Sequence, residues 1–202
     1  VDFTNVNLGG NIVSISGYAF YDTSIKEVIL PNTLVSIQKY AFAFSDIETI
    51  NIPSSVSFIG QYAFFDSCLK EIIFENNSNI FNIEKYAFAK CLNLIEIVLP
   101  KSLQELGSSV FEKSGLVKVE FESGFSLSYI PQNAFLGTKV ENISLPDSII
   151  LIKNNAFRDN MNLQSIQFGK NEIMIMDNAF YNTGLVNVYI GENITYIGEY
   201  AF

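Results

Sequence analysis

The most constraining feature of the chain is an Ala-Phe pair that returns every 22 to 24 residues along all 202 positions. Nine of the 18 phenylalanines keep this period; eight of these nine follow an alanine, and the remaining one follows Val110. A dipeptide repeated at one narrow period is typical of a solenoid, in which each repeat forms one coil that stacks on the next. The anchor phenylalanines, which we expect to point inward, are Phe20, Phe42, Phe64, Phe88, Phe111, Phe135, Phe157, Phe180 and Phe202.

A second motif keeps the same period and predicts one short strand in each repeat. It has the form apolar-x-x-apolar-x-apolar, and its nine members run from Phe3/Val6/Leu8 to Leu185/Val188/Ile190. Its last two apolar residues alternate with one outward residue and are often β-branched, which favours a strand. A proline directly follows four of the nine motifs and ends the strand there, because proline has no N–H to donate. The motifs therefore predict a sheet of nine parallel strands on one face.

The segment between each strand and the next anchor also carries apolar residues, at eight and five positions before the phenylalanine. Leu103 and Leu106 hold these positions before Phe111. The spacing suits either a helical turn or a bent second strand, and periodicity alone does not choose between them. Glu172 interrupts the pattern, and we expect Ile173 to take its place by a local shift.

The repeats must stabilise one another. A single repeat has too few inward side chains to form a core, so stability is a property of the stack. We therefore expect residues 1–202 to form one solenoid domain. Both ends of the sequence fall within a repeat, which indicates an uncapped part of a longer array whose end coils present open sheet edges.

The repeat resembles the BspA-like class of leucine-rich repeats, whose pattern L-x-x-I-x-L-P is followed by L-x-x-I-x-x-x-A-F. Residues 94–113 show the pattern well, and it recurs over the whole chain. The resemblance implies a mainly β, right-handed solenoid with a parallel sheet on one face and little regular helix opposite. It also implies a surface protein of a host-associated bacterium or a parasitic protist, extracellular and engaged in adhesion to host matrix, host cells or other microbes.

Composition excludes several kinds of chemistry. The net charge is −9 and the cations are not clustered, which argues against nucleic acid and against an anionic membrane surface as partners. No apolar run is long enough to insert into a membrane. The absence of histidine removes Ser-His-Asp and Cys-His catalysis. We therefore predict no enzymatic activity, no catalytic residue, no cofactor and no metal site.

The outward strand positions form two parallel stripes, and their first half is the predicted partner-binding site. There, acidic residues run beside exposed aliphatic ones, and contiguous exposed apolar residues often mark an interaction face. The same pattern also arises because β-branched residues favour strands and acids keep a sheet soluble. The eight candidate residues are Glu27, Ile29, Thr49, Asn51, Glu71, Ile73, Glu96 and Val98.

Two further columns of side chains have both a functional and a structural interpretation. Tyrosine stands two positions before the anchor at Tyr18, Tyr40, Tyr62 and Tyr86, where it forms either an adhesive surface or edge packing between coils. Three positions after the anchor the residue is small, and Cys91 occupies this slot. We expect Cys91 and its neighbour Cys68 to be free thiols rather than a disulfide.

The sequence as a whole favours a non-enzymatic, cell-surface repeat domain that binds a protein partner of the host matrix or a cell surface. The alternative is a structural spacer or a self-associating module without a ligand of its own, because open sheet edges at both ends can stack end to end.

Overall fold

The computed structural model describes residues 4–202, and Phe3, the first residue of the first strand motif, lies outside them. The chain forms a parallel β-solenoid of about nine turns, and the described residues contain no helix. This architecture confirms the fold expected from the repeat.

The first series of strands lies on one face of the solenoid, one strand to a coil. The outward residues of each strand alternate with buried ones, as the apolar motif predicts. The strands are β1 (Asn5–Asn7), β3 (Glu27–Ile29), β5 (Thr49–Ile52), β7 (Glu71–Phe74), β9 (Glu96–Leu99), β11 (Lys118–Phe121), β13 (Asn142–Ser144) and β15 (Ser165–Gln167).

The second series answers the question that periodicity left open, because the return segment is a short strand and not a helical turn. The apolar residue five positions before the anchor is the buried residue of this strand in the first eight coils, whereas Ile197 in the last coil is 47% exposed. The strands are β2 (Ser14–Ile15), β4 (Ser36–Ile37), β6 (Phe58–Ile59), β8 (Asn82–Ile83), β10 (Glu105–Leu106), β12 (Tyr129–Ile130), β14 (Leu151–Ile152), β16 (Ile173–Ile175) and β17 (Ile194–Ile197).

All strand pairs are parallel, and the ladders are interrupted at two coils. The first series divides into β1-β3-β5-β7, β9-β11 and β13-β15, and the second into β2-β4-β6-β8-β10 and β12-β14-β16-β17. The interruptions fall in the coils with the longest turns, which follow Phe74 and Phe121. The second of these turns contains Phe125, which is buried and packs edge-on against Phe121, with ring centroids 4.9 Å apart.

The turn around each anchor forms a third set of bonds between coils. The N–H groups of Tyr40, Phe42 and Phe44 donate to carbonyls of the next coil over 3.0, 2.7 and 2.9 Å. The alternate N–H groups, of Ala41 and Ala43, donate within their own coil to the residue three positions back. The pattern recurs along the solenoid, so its turns leave few backbone groups without a partner.

The core is a column of stacked rings. Seven anchors, from Phe42 to Phe180, are completely buried, and neighbouring ring centroids lie 5.0–5.7 Å apart with planes within 15° of parallel. Val110 is buried and leaves the column intact, although the widest interval, 5.7 Å, lies between Phe88 and Phe111. At the ends, Phe20 is half-buried and Phe202 is 47% exposed, because each ring has a described neighbour on one side only.

The small residue three positions after the anchor donates a side-chain hydrogen bond within the turn in several coils. The hydroxyl groups of Thr23, Ser45 and Thr138 donate to the carbonyl of their own anchor over 2.7–3.1 Å. In the seventh coil this position is Asn160, which is fully buried and whose amide donates to Phe135 O and Phe157 O, carbonyls of successive coils. These side chains give the buried anchor carbonyls an additional donor, since the carbonyls of Phe42 and Phe135 also accept a backbone N–H at 3.3 Å.

The last coil departs from the expected pattern, because no strand forms over Leu185 to Ile190 and the first series therefore has eight strands, not nine. Val186 and Tyr189 are 85% and 86% exposed. None of the N–H groups of this segment donates to the backbone of the preceding coil. The predicted shift at Glu172 is confirmed: Ile173 is buried, and the pairing of β16 with β17 slips by one residue there.

Candidate partner-binding face

The eight residues predicted to bind a partner all lie on the outward side of the first series and are exposed. Strand register aligns them across coils, since Glu27 pairs with Thr49, Thr49 with Glu71, and Asn51 with Ile73. The stripes inferred from the sequence are therefore real columns on a hydrogen-bonded sheet.

The aliphatic members of the stripes are substantially exposed but do not form one continuous patch. Ile29, Ile73 and Val98 are 56%, 49% and 47% exposed. Asn51 separates Ile29 from Ile73, and its amide donates to Glu75 Oε1 over 3.4 Å. The face is therefore a row of aliphatic side chains with polar groups between them.

A column of alternating charge runs beside the stripes. Glu48 accepts hydrogen bonds and ion pairs from Lys70 at 2.6 Å and from Lys26 at 3.4 Å, which joins three successive coils. The hydrogen bond from Lys70, followed by that from Lys26, lowers the pKa of the Glu48 carboxyl. The two lysines and Glu48 together carry one net positive charge, whereas Glu27, Glu71 and Glu96 form no ion pair among the described residues.

The candidate residues fall into two groups. Six of them, all on β3, β5 and β7, line a small hollow of about 310 Å³. Glu96 and Val98 lie beyond the interruption that follows β7, and Val98 borders a different depression.

That second depression has a volume of about 1170 Å³, and sequence reasoning missed it. It lies over β11, β13 and β15, where the stripes turn polar, and the long turn after Phe121 forms one rim. Lys118 pairs with Glu120 across 2.6 Å inside it, and Ser165 donates to Asn142 Oδ1 over 2.6 Å. The signal available in the sequence was the extra length of that turn, because the hollow coincides with the interrupted ladder.

Neither cysteine is a nucleophile at neutral pH. Cys91 is fully buried, its thiol lies 3.0 Å from Phe64 O, and burial raises its pKa to about 12. Burial also raises the pKa of Cys68, and Asp46 adds to the shift. Both are free thiols, as the sequence predicts, and reactive cysteines require a lowered pKa.

The surface of residues 4–202 shows no group of three or more Cys, Asp or Glu side chains placed to hold a metal ion. Over the same residues, no helix has the length and apolarity needed to cross a membrane.

Comparison with known proteins agrees with this description. A family model for the BspA-type leucine-rich repeat region matches residues 1–118 and 81–202, with six copies. No curated protein sequence gives a significant match.

Several solved structures share the fold. The pneumococcal vaccine antigen PcpA is 26% identical, with a TM-score of 0.69 over 89% of this chain and 48% of that one. A leucine-rich repeat protein from Bacteroides ovatus is 24% identical, with a TM-score of 0.70 over 98% of this chain and 63% of that one. The T. pallidum leucine-rich repeat protein is 25% identical, with a TM-score of 0.50 over 82% and 73% of the two chains. The chain thus spans about half of the pneumococcal protein and less than two thirds of the Bacteroides one.

Proposed function

Because the chain belongs to the BspA-type leucine-rich repeat family, we propose that it is a non-enzymatic, cell-surface domain that binds a protein partner of the host matrix or of a cell surface. The binding face is the outward side of β3, β5, β7 and β9. The observation that carries the proposal is the row of Ile29, Ile73 and Val98, which stand half-exposed beside Glu27 and Glu71 on a rigid sheet.

This arrangement fits partner binding for two physical reasons. Exposed aliphatic side chains on a rigid sheet can be buried by a partner with little loss of conformational entropy. The unpaired acids beside them select partners by charge and speed their encounter. The description of the pneumococcal relative as a vaccine antigen favours the same extracellular location.

The test is the triple variant Ile29→Ser, Ile73→Ser and Val98→Ser, measured against purified matrix proteins and cultured epithelial cells. We expect binding to be lost while the far-UV circular dichroism and the unfolding midpoint stay close to wild type. Binding that survives in the folded triple variant would refute the assignment of this face.

A matched control removes three aliphatic side chains of similar exposure from the positions that precede strands of the second series. Val13, Val35 and Ile150 are 56%, 43% and 43% exposed, and their replacement by serine should leave binding unchanged. The control separates loss of a specific face from a general loss of surface hydrophobicity.

A structural spacer or self-associating role is the second candidate, because coils of this fold associate through parallel strands and stacked side chains. Light scattering across a range of concentrations distinguishes the roles, because filaments without matrix binding favour this candidate and a binding-competent monomer favours the first.

A further inference from the structure

A strip of seven aromatic side chains, here called the aromatic ridge, runs along the turns of the first four coils. The tyrosine rings stack with centroids 5.0, 4.7 and 4.8 Å apart and planes within 13° of parallel. In a second row, the first and last rings pack tilted or edge-on against tyrosines of the first row at 5.5 and 5.2 Å, and the middle ring contacts both of them edge-on at 5.4 and 5.5 Å. The ridge consists of Tyr18, Tyr40, Tyr62 and Tyr86 in the first row, and Tyr21, Phe44 and Phe65 in the second.

The backbone at the tyrosine positions is left-handed, which most side chains avoid. Tyr18, Tyr40, Tyr62 and Tyr86 have φ between 57° and 62°. In later coils the same slot holds Asn133, Asn155 and Asn178, with φ of 56–57°. Asparagine tolerates this conformation better than an aromatic residue does. The fold thus requires a left-handed residue in this slot and does not require a tyrosine.

The ridge is separate from the partner-binding stripes. It occupies the turn that leads from the second series to the first, whereas the stripes lie on the first-series strands themselves. Tyr18, Tyr21 and Phe44 are 55%, 40% and 39% exposed, and the other four rings are half-buried. Four successive coils therefore present aromatic edges and phenol groups to solvent along one line.

The stacking decides what kind of ligand fits. Each inner tyrosine has both faces covered by its neighbours, which leaves ring edges and hydroxyl groups free and makes the flat stacking of sugar rings unfavourable. Two successive coil intervals, 5.0 and 4.7 Å, together nearly equal the repeat of about 9.3 Å of a polyproline II helix. That helix has no internal hydrogen bonds, so its carbonyls can accept from the phenols of alternate coils.

The charges along the ridge define the partner further. Lys39 Nζ lies 5.3 Å from the centre of the Tyr40 ring, and Lys90 Nζ lies 5.2 Å from that of Phe65. Neither lysine forms an ion pair with any residue of the described range 4–202. A partner with acidic side chains beside its apolar ones would complement both cations.

We propose that the aromatic ridge is a second docking site, which binds a proline-rich segment of a partner protein in the polyproline II conformation, with acidic residues beside its prolines. Prolines at every third position pack between the tyrosine edges of alternate coils, and the acidic residues face Lys39 and Lys90. The site acts independently of the stripes.

The probe is the synthetic peptide (Pro-Pro-Glu)3, with (Pro-Pro-Lys)3 and (Gly-Ser-Glu)3 for comparison, measured by calorimetry. Tyrosine fluorescence gives a second readout, because the chain has no tryptophan. We expect the Pro-Pro-Glu peptide to bind more tightly than both others, and its advantage over the lysine peptide to shrink at high salt. No binding by the wild-type protein, or equal binding of the glutamate and lysine peptides, would overturn the proposal.

The matched variant replaces Tyr18, Tyr40, Tyr62 and Tyr86 by asparagine, which the chain itself accepts in the same slot. Its affinity for the Pro-Pro-Glu peptide should fall about tenfold or more, whereas replacing Tyr181 and Tyr189, which lie outside the ridge, should have no effect. Undiminished peptide binding by the folded variant would refute the site. So would a result in which the substitutions abolish only dimerisation, or only binding of an oligosaccharide such as cellohexaose.

A charge-reversal variant keeps the proposal testable even if the fourfold variant does not fold. Lys39→Glu with Lys90→Glu leaves every ring in place and should weaken the Pro-Pro-Glu peptide while strengthening the Pro-Pro-Lys peptide. An unchanged preference in this variant would contradict the predicted orientation of the acidic residues.

Discussion

The column of anchor rings makes a quantitative prediction for a substitution at its centre. Phe88 is completely buried, with rings at 5.3 Å on one side and 5.7 Å on the other. Phe88→Ala removes the whole ring from a site that two neighbouring coils enclose, and such cavities in rigid cores cost about 3–5 kcal/mol of unfolding free energy. Urea unfolding followed by circular dichroism measures the loss.

The control is the same substitution at the first anchor. Phe20 is half-buried and has a single stacking neighbour at 5.0 Å, so Phe20→Ala should cost only about 1–2 kcal/mol. Amide exchange locates the effect, because the N–H groups of Tyr62, Phe64 and Asp66 donate to the coil of Phe88 and should lose protection in the central variant alone. Equal costs at the two anchors, or unchanged exchange around Phe88, would refute the view that each coil is stabilised by its two neighbours.

Three further substitutions test other contacts between coils. A Cβ on Gly107 would lie 2.1 Å from the backbone N of Lys85, so Gly107→Ala should lower the unfolding free energy by about 1–3 kcal/mol, whereas Gly10→Ala, in open space, should change it by less than about 0.5. Burial raises the pKa of Cys91 to about 12. The stability that the protonated thiol confers is complete below the pKa of an unfolded thiol and is lost as the pH rises towards 12, by about 1.4 kcal/mol per pH unit between pH 9 and 11. Cys91→Ser should abolish this pH-dependent loss of stability, which parallel urea titrations of the two proteins would measure. Asn160→Ala should cost about 1–3 kcal/mol at neutral pH, because it removes the amide that donates to the buried carbonyl of Phe157 and leaves Phe135 O with its bonds from Thr138 alone; an unchanged midpoint of thermal unfolding would contradict this.

The sequence predicted the inward residues well because the two apolar motifs and the anchor report directly on burial. It could not decide the form of the return segment, because a strand such as Ser36–Ile37 is too short to show a period of its own. One feature of the sequence indicated the left-handed backbone two positions before the anchor. Tyrosine, as at Tyr18, is replaced there by asparagine in later coils, as at Asn133, and asparagine tolerates this conformation well.

The absence of a ninth strand and the presence of the large hollow could not be predicted from the sequence for a different reason, because both depend on contacts between coils. Leu185, Val188 and Ile190 keep the strand motif, yet no strand forms over them and none of their N–H groups donates to the backbone of the preceding coil. The hollow over β11 and β13 arises where a long turn interrupts the ladder, so its depth depends on how two coils are spaced and not on which residues line them. Alternation along a strand reveals which residues face outward, but it carries no information on the shape of the surface that they form.

The structure also explains why one solenoid can carry unlike surfaces. Backbone hydrogen bonds at both series of strands and at the anchor turns join the coils, and the inward side chains fill the core. The identity of most outward residues is therefore not constrained by the fold. The first four coils use that freedom for aliphatic stripes and the aromatic ridge, whereas later coils place Asn142 and Ser165 on the stripes and Asn155 in the tyrosine slot. Since the later coils hold the same backbone with polar residues, the apolar surfaces of the first coils are not needed for folding, and the two proposed docking sites can be removed separately without loss of the stack.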